Sequence, residues 1–336
     1  MDIFSDYFLK IGNQFIDPKK RVFIVYIIIS IIIAVGWFIL NKKFSFKNAL
    51  KKIFDKKIFF SKSAKSDYKV FFINQLIMMI ISPLLITQLT IATALYFYFH
   101  SIDWLSLGMF ENTLPIIVVI SFTTFQFTID DFSKYIIHRF MHRWPILWSL
   151  HKVHHSATVL TPMTVFRTHP LEGIIFSLRS SLTQAISISI FIFLFGNSVS
   201  LFTILGVNIF VFLFNIFGSN LRHSHIGIRY WRWLEYVLIS PAQHQLHHSI
   251  AKEHHDKNFG AALAIWDWLF GSLHHSTEFD TLKLGIEKNQ MDHSHDLKAL
   301  YLNPFIEIKN YFYTRFKKLK NKLFKIKIAR GLFNAN

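Results

Sequence analysis

The chain has 336 residues, 52% of them hydrophobic with 38 phenylalanines, and a positive mean hydropathy, which is too apolar for an ordinary soluble domain and predicts an integral membrane protein. It contains no cysteine, which excludes disulfides, thiolate zinc sites, iron–sulfur clusters and thiolate-ligated haem, so any metal must be held by nitrogen or oxygen. The formal charge of +17 comes from basic residues beside apolar runs, so the expected partner is the anionic face of a membrane and not nucleic acid.

Val22–Leu40 is nineteen residues without a charge, enough for a helix to cross the hydrocarbon core, which takes about 20 residues. It exceeds a usual signal-peptide core and has no small-residue cleavage site behind it. Leu76–Phe99, carrying Pro83, and Leu114–Ile129 are the next apolar runs. Ile174–Phe195 and Leu201–Phe217, joined by the turn-like Gly196-Asn197-Ser198, read as a helical hairpin, and Arg179 lies near enough to one end to reach the interface. Ten lysines against Asp55 and Asp67 lie between Asn41 and Val70, whereas Ser101–Thr113 carries Asp103 and Glu111 and no Lys or Arg. The positive-inside rule therefore places the lysine-rich loop in the cytoplasm. Counting spans puts the N-terminus outside, residues 130–173 inside, the Gly196 turn outside, and everything after Gly218 inside. All histidine-rich stretches then share one side, although no histidine entered the orientation argument. The tail Arg315–Arg330, with eight basic residues among Phe, Leu and Ile, is expected as an amphipathic helix on the inner leaflet.

Ten of the 18 histidines fall in four tight groups. His138 and His142 are four apart on a predicted helix, so both imidazoles share one face, with Asp131 seven residues earlier on that face. His151, His154 and His155 repeat the pattern H-x-x-H-H seen again at His244, His247 and His248, and His223-Ser224-His225 lies between them. Imidazole is the commonest biological metal ligand, and one tetrahedral ion needs four ligands at most. Eight to ten imidazoles are enough for two ions. Soluble di-iron bundles use Glu-x-x-His repeats, and this chain has none.

The stretch from Asp131 through His138, His142, Trp148, His151, His154 and His155 to Ser156 resembles the signature of the fatty acid hydroxylase/sterol desaturase superfamily. Arg222-His223-Ser224, Ser240-Pro241 with His244, His247, His248 and Ser249, Asp256-Lys257-Asn258-Phe259-Gly260, and Trp266-Asp267 to Gly271 continue it in order. The resemblance covers about 125–273 and implies an all-α fold: multi-pass membrane helices with a cytosolic histidine-rich helical cap over a dinuclear metal site. It divides the chain into an N-terminal membrane region (1–124, with the basic loop 41–70), a catalytic domain (125–273) and a basic cytosolic tail (274–336). It implies that His138, His142, His151, His154, His155, His223, His244, His247 and His248 hold two iron ions, which zinc could replace in purified protein. His225 is less secure, because relatives often carry Asn there. His169, in the stretch 167–172, is expected either at the metal or as a cap on the following helix, and Asp131, Asn258 and Asp267 as supports behind it. His254, His255, His274, His275, His293 and His295 are expected on the surface.

The implied reaction is hydroxylation or desaturation of a lipid C–H bond with dioxygen, in a bacterial inner membrane with the histidine boxes facing the cytoplasm. No Gly-x-Gly-x-x-Gly is present, so electrons are expected from a separate cytochrome or ferredoxin type donor, steered by charge. A membrane transporter or metal-binding protein would place ionisable residues inside the spans, and a bis-histidine haem protein would need lone histidines there. A metal-dependent hydrolase would need neither dioxygen nor electrons.

Overall fold

The computed structural model describes residues 3–85, 87–102, 106–199, 208–276, 282–287 and 295–333. The fold is helical, with two isolated β-bridges and no strand among the described residues. In chain order the helices are α1 (Ile3–Ile16), α2 (Ile24–Lys42), α3 (Phe46–Ile53), α4 (Lys56–Phe59), α5 (Lys62–Ile81), α6 (Gln88–His100), α7 (Pro115–Arg143), α8 (Pro145–His155) and α9 (Pro170–Phe195). They continue as α10 (Ile209–Phe214), α11 (Asn220–Arg222), α12 (Pro241–His247), α13 (Ile265–Leu269) and α14 (Leu297–Phe333). Three of them, α2, α7 and α9, are long and apolar enough to cross a membrane.

The apolar run 76–99 is not one continuous helix. Pro83 lacks an amide hydrogen and ends α5 in a 3-10 turn at Ser82–Leu84, and α6 restarts behind Thr87, whose hydroxyl accepts from Thr90 N at 3.1 Å. Of the run 201–217, residues 201–207 lie outside the described residues, and the remainder passes from α10 into a π-helical turn at Asn215–Ser219.

α6, α7 and α9 pack together. Ser189 Oγ donates to Ala92 O at 2.8 Å, and Phe122 meets Phe191 edge-on. Gly108 N and Phe110 N donate to Phe193 O and Leu194 O, both at 2.8 Å, which ties the acidic loop to the end of α9. At the opposite end, α7 stops where Trp144 is extended before Pro145, and the chain turns straight into α8. That corner brings the first histidine pair over the second group.

The start of α2 departs from expectation. Counting spans puts the residues before α2 across the membrane from the histidines, yet Arg21 Nη2 donates to Ser219 O (2.7 Å) and His223 Nδ1 (2.9 Å). Asn220 Nδ2 returns a bond to Arg21 O at 3.0 Å. The last turns of α2 also meet this layer, since Phe38 packs with Leu221, Ile226 and Ile228. Residues just before α2 and its last turns thus both meet the layer that carries His223, whereas counting spans expects only the later end to do so.

Candidate metal centre

Nine histidines converge in two buried groups. One comprises His138, His142, His151, His155 and His247; the other His154, His223, His244 and His248. Within each group, one ring nitrogen from each histidine lies within 4.8 Å of those of the others. The two H-x-x-H-H motifs interleave. α8 sends His151 and His155 to the first group and His154 to the second, while α12 sends His247 to the first and His244, together with the C-capping His248, to the second. Positions i and i+4 share a helical face and i+3 is rotated from them, so a single motif can serve two neighbouring centres. The groups abut, with the His155 and His248 rings stacked at a centroid separation of 4.5 Å.

Local sequence fixes these helices. Ser240 and Gln243 form a capping box with Pro241 at the first helical position. Arg167, fully buried, clamps the end of α8 by donating to Val153 O (3.1 Å) and Ser156 Oγ (2.9 Å) and pairs with Asp67 at 2.9 Å.

The donor set fits metal ions. His138 Nε2 and His247 Nε2 are 3.1 Å apart, as are His223 Nε2 and each of His154 Nε2 and His244 Nε2. Two nitrogens each about 2.1 Å from one ion at roughly a right angle stand about 3.0 Å apart. His142 Nε2, His151 Nε2, His155 Nε2 and His248 Nε2 are buried without any hydrogen-bond partner, a costly arrangement for a ring nitrogen unless an ion receives the lone pair. Burial, followed by the neighbouring rings, holds His155 and His248 well below the usual imidazole value. Burial takes His247 down to about 3 against the Lys257 carbonyl, which works the other way. These rings are neutral, the form that binds metal.

The outer nitrogens show what aims the rings. His151 Nδ1 meets Glu172 Oε1 at 2.7 Å, His138 Nδ1 meets Phe259 O at 2.7 Å, and His247 Nδ1 meets Lys257 O at 2.7 Å. An acceptor at Nδ1 fixes the proton there and leaves Nε2 free to coordinate. His223 differs, because Arg21 donates to its Nδ1. In that arrangement the neutral His223 ring carries its proton on Nε2, and an ion bound there must displace it.

The remaining expected residues stand outside both groups. His225 Nε2 donates to Lys52 O at 2.9 Å and lies edge-on to Phe59. His169 caps α9, its Nδ1 accepting from Leu171 N at 3.2 Å. Asp131 accepts from Ala262 N (2.8 Å), Leu263 N (3.1 Å) and Trp266 Nε1 (2.9 Å). Asp267 accepts from Phe259 N (2.8 Å), Gly260 N (2.7 Å) and Ser272 Oγ (2.6 Å), and burial raises its carboxyl to about 6. Asn258 bridges Gln243 O and His274 N. These three hold the loop whose Phe259 carbonyl orients His138. Of the histidines expected on the surface, His254 is buried against His274. His255 lines a cavity of about 210 Å³ that reaches His142, His155 and His247, with Trp148, Asp256 and Glu287 in its wall. His295 is half-buried beside Thr158 and Arg167, and His293 lies outside the described residues. Sequence reasoning assigned no role to Glu172 or Arg21. Glu172 had a signal, three residues beyond His169 within the recognised stretch; Arg21 had none.

Residues 123–272 match the family model for fatty acid hydroxylase. The chain carries a domain of the fatty acid hydroxylase/sterol desaturase superfamily. Alkylglycerol monooxygenase of Danio rerio is 31% identical over 142 residues, 42% of this chain and 28% of the relative. Ornithine lipid hydroxylase OlsE of Rhizobium tropici is 28% identical over 159 residues, 47% of this chain and 43% of the relative. Lathosterol oxidase of Homo sapiens is 28% identical over 173 residues, 52% and 49% of the two. The chain thus spans less than half the length of each, and no solved structure matches it. All nine clustered histidines of this hydroxylase-superfamily domain lie within the matched segment.

Proposed function

We propose that the protein is a membrane-bound di-iron oxygenase that hydroxylates or desaturates a lipid C–H bond. One observation carries the reading: two abutting groups of imidazoles, most of them buried, several with an unpartnered nitrogen facing inward. A pair of bound iron ions would supply the oxidising power, from dioxygen and two electrons, that no side chain possesses. The overall hydroxylation consumes RH, O2, two electrons and two protons and yields ROH and water; desaturation consumes the same and yields the alkene and two waters.

In this reading His138, His142, His151, His155 and His247 hold one ion, and His154, His223, His244 and His248 hold the other. Glu172 and the Phe259 and Lys257 carbonyls keep the ring protons on the outer nitrogens. The apolar helices α7 and α9 deliver the lipid from the bilayer without passage through water. We place the histidine layer on the cytoplasmic side of a bacterial inner membrane, crossed several times by the chain, because the lysine-rich loop and the basic tail share that side. Electrons come from an acidic cytochrome or ferredoxin type donor drawn to that basic face.

The test combines metal analysis with lipid mass spectrometry. Purified protein is expected to hold about two ions per chain, and lipids of expressing cells to gain one oxygen or lose two hydrogens only under air. A transporter would leave the lipids unchanged, and a hydrolase would act without dioxygen.

A further inference from the structure

A second cavity, of about 500 Å³, lies among the membrane helices away from the histidines. Phe122, Phe127, Ile188 and Val211 give it an apolar wall, while Gln126, Asp130, Lys134, Arg179, Gln184 and Asn208 give it an unusually polar one. Asp130 pairs with both Lys134 (2.6 Å) and Arg179 (2.9 Å), so two cations share one carboxylate. Arg179, its side chain 8% exposed, leaves Nε buried without a partner, and Gln126 Oε1 is likewise buried and unpartnered. Buried polar groups left open in an apolar setting are expensive and point to a missing polar occupant.

Gln126, Asp130, Lys134, His138 and His142 follow one another at intervals of four on α7. Successive positions in this row turn by about 40°, so the row is a ridge that winds around the helix, and the helical rise puts Lys134 about 6 Å and Gln126 about 18 Å from the level of His138. The cavity and the first histidine group therefore lie along one stripe that winds about 120° around α7 between Gln126 and His138, with Lys134 one turn from His138.

We propose that this cavity binds the anionic head of a lipid, a phosphate or a carboxylate, whose nearby chain then lies along the α7 stripe toward the metal centre. Arg179 and Lys134 neutralise the head, and Gln126 accepts from a hydroxyl or amide beside it. The proposal rests on the oxygenase reading for the fate of the lipid and not for its capture. It places the oxidised carbon near the head and not at the methyl end of the chain.

Native mass spectrometry of the metal-loaded, full-length protein tests it with three probes: dioleoyl phosphatidic acid, oleate and neutral dioleoylglycerol. The wild type should retain one phosphatidic acid or one oleate, whichever source of the charge it prefers, at least tenfold better than dioleoylglycerol. Arg179→Gln should lose that preference about tenfold with its metal content unchanged, and Arg179→Lys should recover part of it. Gln126→Leu, which alters no charge and leaves the Asp130 pairs in place, should weaken retention severalfold and serves if Arg179→Gln misfolds. Equal retention of the neutral lipid, or undiminished retention in well-folded Arg179→Gln or Gln126→Leu, overturns the headgroup site. Failure of the oxygenase reading looks different: the anionic lipid is retained but recovered without a change in mass after exposure to dioxygen and a reductant.

Discussion

His155 and His248 have buried Nε2 atoms with no hydrogen-bond partner, so replacing either with Ala should remove one ion and abolish turnover, read by elemental analysis and product mass. His225→Ala should keep both ions, because that ring already spends its Nε2 on the Lys52 carbonyl. Glu172→Gln replaces an acceptor-only carboxylate with an amide that can present the wrong group to His151, and metal affinity should drop about 10- to 100-fold in a chelator competition. The pH dependence follows from the depressed imidazoles. His247 titrates near 6.5 when unfolded and near 3 when folded, so the unfolded chain takes up protons first. Stability from this burial is complete above about pH 6.5 and is lost as pH falls toward 3. Metal retention should fall in the same direction, and the second group should lose its ion first, since His223 must also give up a proton to bind it.

At the level of elements, the loop from Asn258 to Ser272 behaves as a bracket that aims His138 through the Phe259 carbonyl. Its tightest point is Gly260, where an added Cβ would meet Leu263 O at 2.5 Å, Asp267 Oδ2 at 2.8 Å and Ile239 Cγ1 at 2.8 Å. None of these can swing aside freely, so Gly260→Ala should cost about 1–3 kcal/mol and release metal along with it, seen as a lower melting temperature and a reduced ion count. Asp131→Ala strands one buried donor, Ala262 N, and two partly buried ones, Leu263 N and Trp266 Nε1, each costing up to about 1–3 kcal/mol when unpaired. Asp131→Asn keeps an accepting oxygen and should be milder in the same unfolding assay. These carboxylates act on the metal site only through the backbone they hold.

Across the whole molecule, the helices have two distinct ends. One carries the acidic loop 106–114 bonded to the end of α9; the other carries the histidine layer. A reporter at Gly196 should therefore read opposite to one at Lys52. Arg21 adds a sharper expectation, because its bonds to Ser219 and His223 anchor the start of α2 to the histidine layer. A reporter near Ser5 should read on the same side as Lys52, measured by cysteine accessibility in intact cells, and an opposite reading would mean that the Arg21 contacts do not form in the membrane.

The sequence by itself determined the chemistry: no cysteine, nine histidines in boxes spaced for helical faces, and apolar runs long enough for hydrocarbon. Those properties depend on residue identity and local periodicity, which the one-dimensional order carries in full. Tertiary structure decided which imidazole joins which group. Each H-x-x-H-H motif can serve two groups by its helical spacing, but which rings meet depends on α8 and α12 being brought together, as in the His155–His248 stack, by contacts between residues far apart in the chain. It also decided that His225, three residues beyond a helix that ends at Arg222, turns toward Lys52, while His223 stays inward. The break at Pro83 was written in the sequence, since a proline removes a hydrogen bond wherever it stands. The docking of Arg21 on the histidine layer was not, because its partners Ser219 and His223 lie far along the chain and no local pattern pairs them.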